Sequence, residues 1–208
     1  MTTTLHETSA QKTAIQTIAF KAGTCALGLL LVATTPKGIC AILLGNTEKA
    51  LVGQLRSIFP QAALQKRSKE LDEVLNRVVQ FIETPTGAFA LLLDIGGTAF
   101  QKRVWNALRE IPAGQTATYK ELALKLGATA QEIGEACAAN ALAVVVPCHR
   151  VIRSDGRLAG YRWGVNRKRL LLQREQVMFP DPLSLFGMPA LVKGHALLES
   201  SSGFCVER

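Results

Sequence analysis

The run VVPCHRV, residues 145–151, sets a thiol between a proline and two basic side chains. Pro147 restricts how the chain reaches Cys148, and the apolar AVVV before it would bury the back of the sulfur. A thiol attacks as thiolate, and nearby cations or proton acceptors favour that form. His149 is placed to take the proton, directly or through water, and Glu175 is a carboxylate that could orient the imidazole. A free cysteine is most often a buried structural residue; the adjoining His149 and Arg150 argue for a nucleophile. Two chemistries then compete. Attack on an acyl carbon usually draws its histidine from far away in sequence, and the remaining histidines, His6 and His195, lie in the two tails. Attack on an alkyl carbon moves the alkyl group to sulfur and needs a leaving group that is protonated as it departs. Tyr119 is a suitable donor if the fold brings it near.

The elements that must position these residues can be read from periodicity and punctuation. A hairpin is expected over 25–44, where CALGLLLVA and ICAILLG flank a break at Pro36 and Gly38. TEKALVGQLRSIF places Leu51, Leu55 and Phe59 at helical spacing and stops at Pro60. Residues 61–68 read as a polar loop, KELDEVLNRVVQFIE as a second amphipathic helix, and AFALLLDI, residues 88–95, as another strand. From Gly96-Gly97 onward the pattern is helical. TAFQKRVWNALREI puts Phe100, Val104, Leu108 and Ile111 on one face, with Thr98 as N-cap. TYKELALKLG, stopped by Gly127, and TAQEIGEACAAN, started by Thr129, form a candidate helix-turn-helix. On the latter, Ala130, Ile133, Gly134 and Cys137 share the expected buried face. ALAVVV should be extended and buried, and NRKRLLLQRE is a last helix.

These readings divide the chain into a polar tail (1–14), an α/β domain (15–96), a helical domain (97–176) and a Pro-, Gly- and Ser-rich extension (177–208). Cys205 near the end sits in no convincing prenylation box, because Glu207 interrupts it. The composition, 48% hydrophobic and 19% charged over 208 residues, is that of a globular protein rather than a disordered one. No apolar run is long enough for a bilayer and no signal peptide is visible, so a cytoplasmic, membrane-free protein is expected. Five cysteines without a CxxC pattern exclude a disulfide scaffold and a zinc cluster of the usual spacing. Cys25 and Cys40 read as core residues, and no metal or cofactor is expected. Between Cys148 and Glu175 eight Arg or Lys face two acids, most of the chain's net charge of +8. Such a stretch is either a solvated face or a polyanion surface beside the thiol, and nucleic acid is the obvious polyanion.

Five motifs in order, TAFQKRVWNAL (98–108), IPAGQTATYKELA (111–123), ACAAN (136–140), PCHRV (147–151) and GYRWG (160–164), together resemble the O6-alkylguanine-DNA alkyltransferases. The likeness runs over roughly residues 15–177 and points to the C-terminal alkyltransferase module of the bacterial adaptive-response protein. It implies an α/β fold with a small ribonuclease-H-like sheet-and-helix domain in front. A helical, winged-helix-like catalytic domain with a helix-turn-helix would follow. It implies a monomer that binds double-stranded DNA, flips O6-alkylguanine into a pocket, and transfers the alkyl group once, irreversibly, to Cys148. His149, a water and Glu175 would draw off the thiol proton, and Tyr119 would protonate the departing guanine. Asn140 would tie the helix-turn-helix to the active-site turn. Backbone groups at Cys148 and Val151 would bind the exocyclic amine, Arg150 would hold phosphate, and Tyr161, Arg162 and Trp163 would wall the pocket.

The sequence departs from the family pattern at the position of its arginine finger, which is Gln131 here, with Glu132 and Glu135 beside it. The tract between Tyr119 and Cys148 is also about two residues shorter than the pattern, near the turn. Acids on a DNA-facing helix repel phosphate, so weaker duplex binding is expected, and a lesion-recognition protein with poor transfer is the alternative reading. The zinc-binding N-terminal module of the adaptive-response protein has no counterpart in this sequence.

Overall fold

Ile18 and Phe20 alternate with more open neighbours, whereas the two following apolar runs are buried almost continuously, and these three segments make the sheet. The computed structural model describes residues 16–67, 69–85 and 89–176. The expected tails, with His6, His195 and Cys205, lie outside the described residues. β1 (Thr17–Cys25), β2 (Gly28–Thr35) and β3 (Gly38–Gly45) run antiparallel, and β4 (Ala63–Lys66) joins β1 in parallel, in the order β3-β2-β1-β4. The expected hairpin is present as β2 and β3. β1 was not anticipated, and β4 replaces the expected loop over 61–68: its largely exposed residues carry no apolar pattern, but its backbone completes the open side of β1.

Two helices cover this sheet. α1 (Glu48–Ile58) starts where the Thr47 hydroxyl accepts from the Ala50 N–H and buries Leu51 and Leu55. α2 (Asp72–Glu83) buries Leu75, Val78 and Ile82 against β1 and β2. The outer edge of β3 is left for the rest of the chain, and an open edge must be covered. The segment expected as a strand over 88–95 covers part of it without becoming one. Ile39 donates to the Leu92 carbonyl (2.9 Å) and Asp94 to the Ile39 carbonyl (2.8 Å), a single bridge. The close approach requires Gly38, at φ 143°, because a Cβ there would lie 2.5 Å from the Leu92 oxygen.

The second covering segment is the one that bears the thiol. Ile42 donates to the Ala141 carbonyl (2.8 Å) and Ala143 to the Ile42 carbonyl (2.9 Å). ALAVVV is therefore buried, as expected, but only Leu142 bridges to β3; the residues after it turn instead of extending. The front sheet thus serves as the bench on which the Cys148 turn is mounted.

The helices of the second half start and stop where their caps dictate. α3 (Ala99–Arg109), α4 (Tyr119–Leu126) and α5 (Ala130–Ala139) each begin with a full capping box, from Thr98 with Gln101, Thr118 with Glu121, and Thr129 with Glu132. Gly127, at φ 64°, ends α4 in the left-handed conformation, which leaves room for α5 to begin after one tight turn. α6 (Val165–Arg174) closes the described chain. α3 packs on α5 through Trp105, whose indole N–H donates to the Ala136 carbonyl at 2.8 Å in a buried contact. Ala130, expected on the buried face of α5, is exposed; Ile133, Ala136 and Cys137 form that face.

Trp105→Phe keeps most of the packing but orphans the Ala136 carbonyl. It should lower unfolding free energy by about 1–3 kcal/mol in urea titrations, whereas Phe100→Leu, at a half-buried position, should cost less.

Candidate active site

Cys148 is delivered by two successive three-residue turns. The Val145 N–H donates to the Ala143 carbonyl (2.8 Å) around Val144, which is held at φ 69°. The Cys148 N–H donates to the Val146 carbonyl (2.8 Å) around Pro147, at φ −82° and ψ 58°. The second is an inverse γ-turn, for which proline's restricted φ is suited and its missing N–H costs nothing. The first is strained, since a β-branched residue at positive φ costs of order 1–3 kcal/mol. Asn140, buried at the end of α5, holds it. Its Oδ1 accepts from the Leu142 N–H (2.8 Å), and its Nδ2 donates to the Val146 carbonyl (3.0 Å) and lies 3.3 Å from the Cys148 sulfur. One amide therefore joins the helix-turn-helix, the turn and the thiol.

After Cys148 the chain makes one 3₁₀ turn, Cys148–Arg150, and enters β6 (Val151–Ile152), which pairs in parallel with β5 (Ala117–Thr118). Tyr119 follows β5 directly, so this short ladder is what brings the phenol to the thiol. Both line a cavity of about 340 Å³, within the range of small-ligand sites. Tyr161 and Arg162 also line it, together with the small residues Gly134, Cys137, Ala138 and Gly160.

Behind the cavity lies a buried charged network. His149 Nε2 is 2.9 Å from Glu175 Oε1; Arg150 donates from Nε to Oε2 (3.0 Å) and from Nη2 to Oε1 (2.7 Å) of the same carboxylate, and from Nη1 to the Ile111 carbonyl (2.5 Å). Burial would raise the Glu175 pKa, but hydrogen bonds from His149 and Arg150 outweigh it and hold it down to about 2. Burial lowers the His149 pKa, against the pull of Glu175, so the imidazole is neutral near neutral pH. An ionised carboxylate only accepts, so Nε2 carries the hydrogen and Nδ1 keeps a lone pair. Nδ1 is buried without a protein partner. Burial also pushes the Cys148 thiol up, opposed by the Asn140 bond and the charges of Lys168 and Arg162. Tyr119 is likewise pushed well above the usual phenol range by burial. Both groups therefore rest protonated.

The structure corrects two expected contacts. Arg150 is not available to a phosphate, because the residue is buried and its guanidinium is committed to Glu175 and Ile111. Trp163 does not line the Cys148 cavity; it is buried behind Tyr161, edge-on at 5.1 Å, and faces Leu27 and Asn46 instead. Arg162 is exposed, donates from Nη1 to the Ala138 carbonyl (3.0 Å) and sits 6.0 Å from the Trp163 ring. Gln131 is exposed outside the cavity, and Val151 is buried, with its carbonyl accepting from Lys168 Nζ at 2.5 Å.

Lys168 itself was missed. It is fully buried, and its spacing to Leu171, Leu172 and Glu175 is that of one helical face, a pattern hidden within a run of basic residues.

The match to known proteins agrees with this geometry. Residues 99–177 match the model of the 6-O-methylguanine DNA methyltransferase DNA-binding domain. The chain is 46% identical over 153 residues to the Escherichia coli bifunctional transcriptional activator/DNA repair enzyme Ada, covering 73% of this chain but only 43% of that protein. The chain thus spans less than half the length of that relative. It is 37% identical to the methylated-DNA–protein-cysteine methyltransferase of Candida albicans, covering 72% of this chain and 90% of that one. The crystal structure of Mycobacterium tuberculosis OGT in complex with DNA superposes with a TM-score of 0.65 at 30% identity, over 81% of this chain and 99% of that one.

Because Glu175 titrates at about 2 in the fold and near 4.3 when unfolded, its contribution to stability is complete above roughly pH 4.3 and is lost as the pH falls toward 2. Urea midpoints measured across that window should fall steeply for the wild type, and the Glu175→Gln protein should start lower and vary less. With its order of motifs, its buried thiol and these relatives, the chain belongs to the O6-methylguanine-DNA methyltransferase family.

Proposed function

We propose that this protein repairs DNA by direct reversal, taking the methyl group of O6-methylguanine onto Cys148 in one irreversible event. The observation that carries the reading is the cavity that holds Cys148 and Tyr119 together, in front of a neutral imidazole with a free Nδ1. In this reading the guanine enters the cavity and Cys148 Sγ attacks the methyl carbon. The S–C bond forms as the C–O6 bond breaks. The thiol proton passes through a water to His149 Nδ1, and the electron pair left on the purine is met by the Tyr119 O–H. Proton return from imidazolium to phenolate restores both groups. A buried, protonated phenol is an acid waiting for a base, and general acid–base help of this kind is worth about 10²–10⁴-fold in rate. The resting thiol ionises only as it reacts, with Asn140 and the nearby cations sharing the developing charge.

The further roles follow from position. Tyr161 and Arg162 wall the base, and the carbonyl of Cys148, a residue that lines the cavity, offers an acceptor to an exocyclic amine, whereas that of Val151 is taken by Lys168. The chemistry needs no cofactor, since each step is a proton or methyl transfer. The chain would work as a cytoplasmic monomer on double-stranded DNA, with residues 15–96 as scaffold and 97–176 as the reactive part. No helix among the described residues is long and apolar enough to cross a membrane. A recognition protein that binds the lesion without transfer is the second reading, and the acidic α5 is what favours it.

Intact-protein mass after mixing with DNA containing one O6-methylguanine separates the two. The wild type should gain one methylene, stop at one equivalent, and carry it on Cys148, while Cys148→Ala gains nothing. Lesion-dependent binding with no mass gain would favour the second reading.

A further inference from the structure

If Cys148 takes the methyl group as proposed above, the mouth of its cavity decides which kind of DNA can feed it. α5 contributes Gly134, Cys137 and Ala138 to the cavity wall, so a strand that delivers a base to the thiol passes over this helix. A groove of about 540 Å³ adjoins the cavity through the shared residues Tyr119 and Gly134, and Lys120, Gln131, Arg153 and Asp155 line its outer part. The charges here are unusual for a nucleic-acid surface. α5 (AQEIGEACAA) contains no Lys or Arg. Gln131 Nε2 donates to Glu135 Oε1 (3.0 Å), so the long side chain at the mouth is tied along its own helix. Glu132 Oε2 accepts from the Thr129 N–H (2.7 Å) and hydroxyl (2.8 Å), bonds that lower its pKa and keep a fixed negative charge at the start of α5. Of the nearby cations, Lys120 belongs to α4 and not to α5, Arg153 contacts Asp155 (3.3 Å) and Arg162 spends Nη1 on main-chain carbonyls.

Taking a base out of a duplex costs a few kcal/mol. Proteins that open a stack insert a cation or an apolar wedge between base steps and neutralise the phosphates on either side. At this mouth α5 offers a neutral amide bound within its own helix, flanked by two carboxylates. We propose that the protein takes O6-methylguanine preferentially from DNA in which the base is already unpaired, and that intact duplex is its poorer substrate. Nothing in the cavity itself discriminates, since the base is presented to Cys148 and Tyr119 in the same way once it is inside.

Single-turnover transfer rates, at one ionic strength and limiting protein, would be measured for one O6-methylguanine placed in a single strand, in an unpaired bubble and in a matched duplex. The single strand and bubble should react at least tenfold faster than the duplex. Gln131→Arg, which supplies a cation at the mouth, should narrow that ratio at least threefold by accelerating the duplex. A matched duplex that reacts as fast as the single strand would overturn the proposal, as would a ratio unchanged in Gln131→Arg. Transfer to none of the three would overturn the transfer reading, and this one with it.

Discussion

One buried carboxylate holds the reactive end of this protein together. Glu175, at the end of α6, accepts from His149 and twice from Arg150, and Arg150 reaches on to the Ile111 carbonyl beyond α3. Three parts of the chain are therefore joined through this network: the 3₁₀ turn that carries the imidazole, the end of the last helix and the loop after α3. Two unpaired charges would be intolerable at such depth, and removing one partner from a buried pair typically costs about 3–5 kcal/mol. The same arrangement sets the chemistry. Hydrogen bonds from His149 and Arg150 together keep Glu175 ionised, and the neutral imidazole, with Nε2 turned to the carboxylate, keeps its lone pair on Nδ1. A residue that sequence context casts as a phosphate contact is thus a structural counter-ion, and its positive charge helps keep His149 unprotonated.

The thiol is held by a second device that depends on the first half of the chain. The β3 edge binds Ala141 and Ala143, which fixes where the strained turn at Val144 begins. Asn140 fixes where it ends. Strain at functional turns persists only when the surroundings over-determine the backbone, and here a sheet edge and a buried amide do so from opposite sides. Arg167 extends the tie, donating from α6 to the Leu27 and Gly45 carbonyls at 2.7 and 3.0 Å. The front sheet has no reactive group in the cavity. Its contribution is the geometry of the turn.

Much of this was legible in the residues. Thr98, Thr118 and Thr129 announce their helices through local capping chemistry, which involves only three or four neighbouring residues. His149, Glu175 and Tyr119 could be named as candidates from their chemistry, but only the family resemblance gathered them, with Asn140, around Cys148, because the ladder that joins Ala117 to Val151 is two residues long and has no pattern of its own. β4 was invisible for the same reason: its pairing is made by backbone, and all of its side chains but that of Leu64 are exposed. The apolar run at 141–146 looked like a strand because it is buried, and the one ending at Ile95 because Phe89, Leu91, Leu93 and Ile95 are half-buried against the core; packing against a sheet edge demands apolar side chains whether or not a ladder forms. The fate of individual cations was the hardest to foresee. Arg150 and Lys168 are buried while their neighbours Arg153 and Arg169 are exposed, and charge alone does not separate them.

Glu175 leaves His149 neutral, with its hydrogen on Nε2 and a free lone pair on the buried Nδ1. Nitrogen-15 correlation spectra of the histidine rings, recorded near neutral pH on protein labelled at histidine, read that state directly. The account predicts one imidazole, lost in His149→Ala, that is neutral, protonated at Nε2 and unprotonated at Nδ1. A His149 ring that carries its hydrogen on Nδ1, or on both nitrogens, would contradict it.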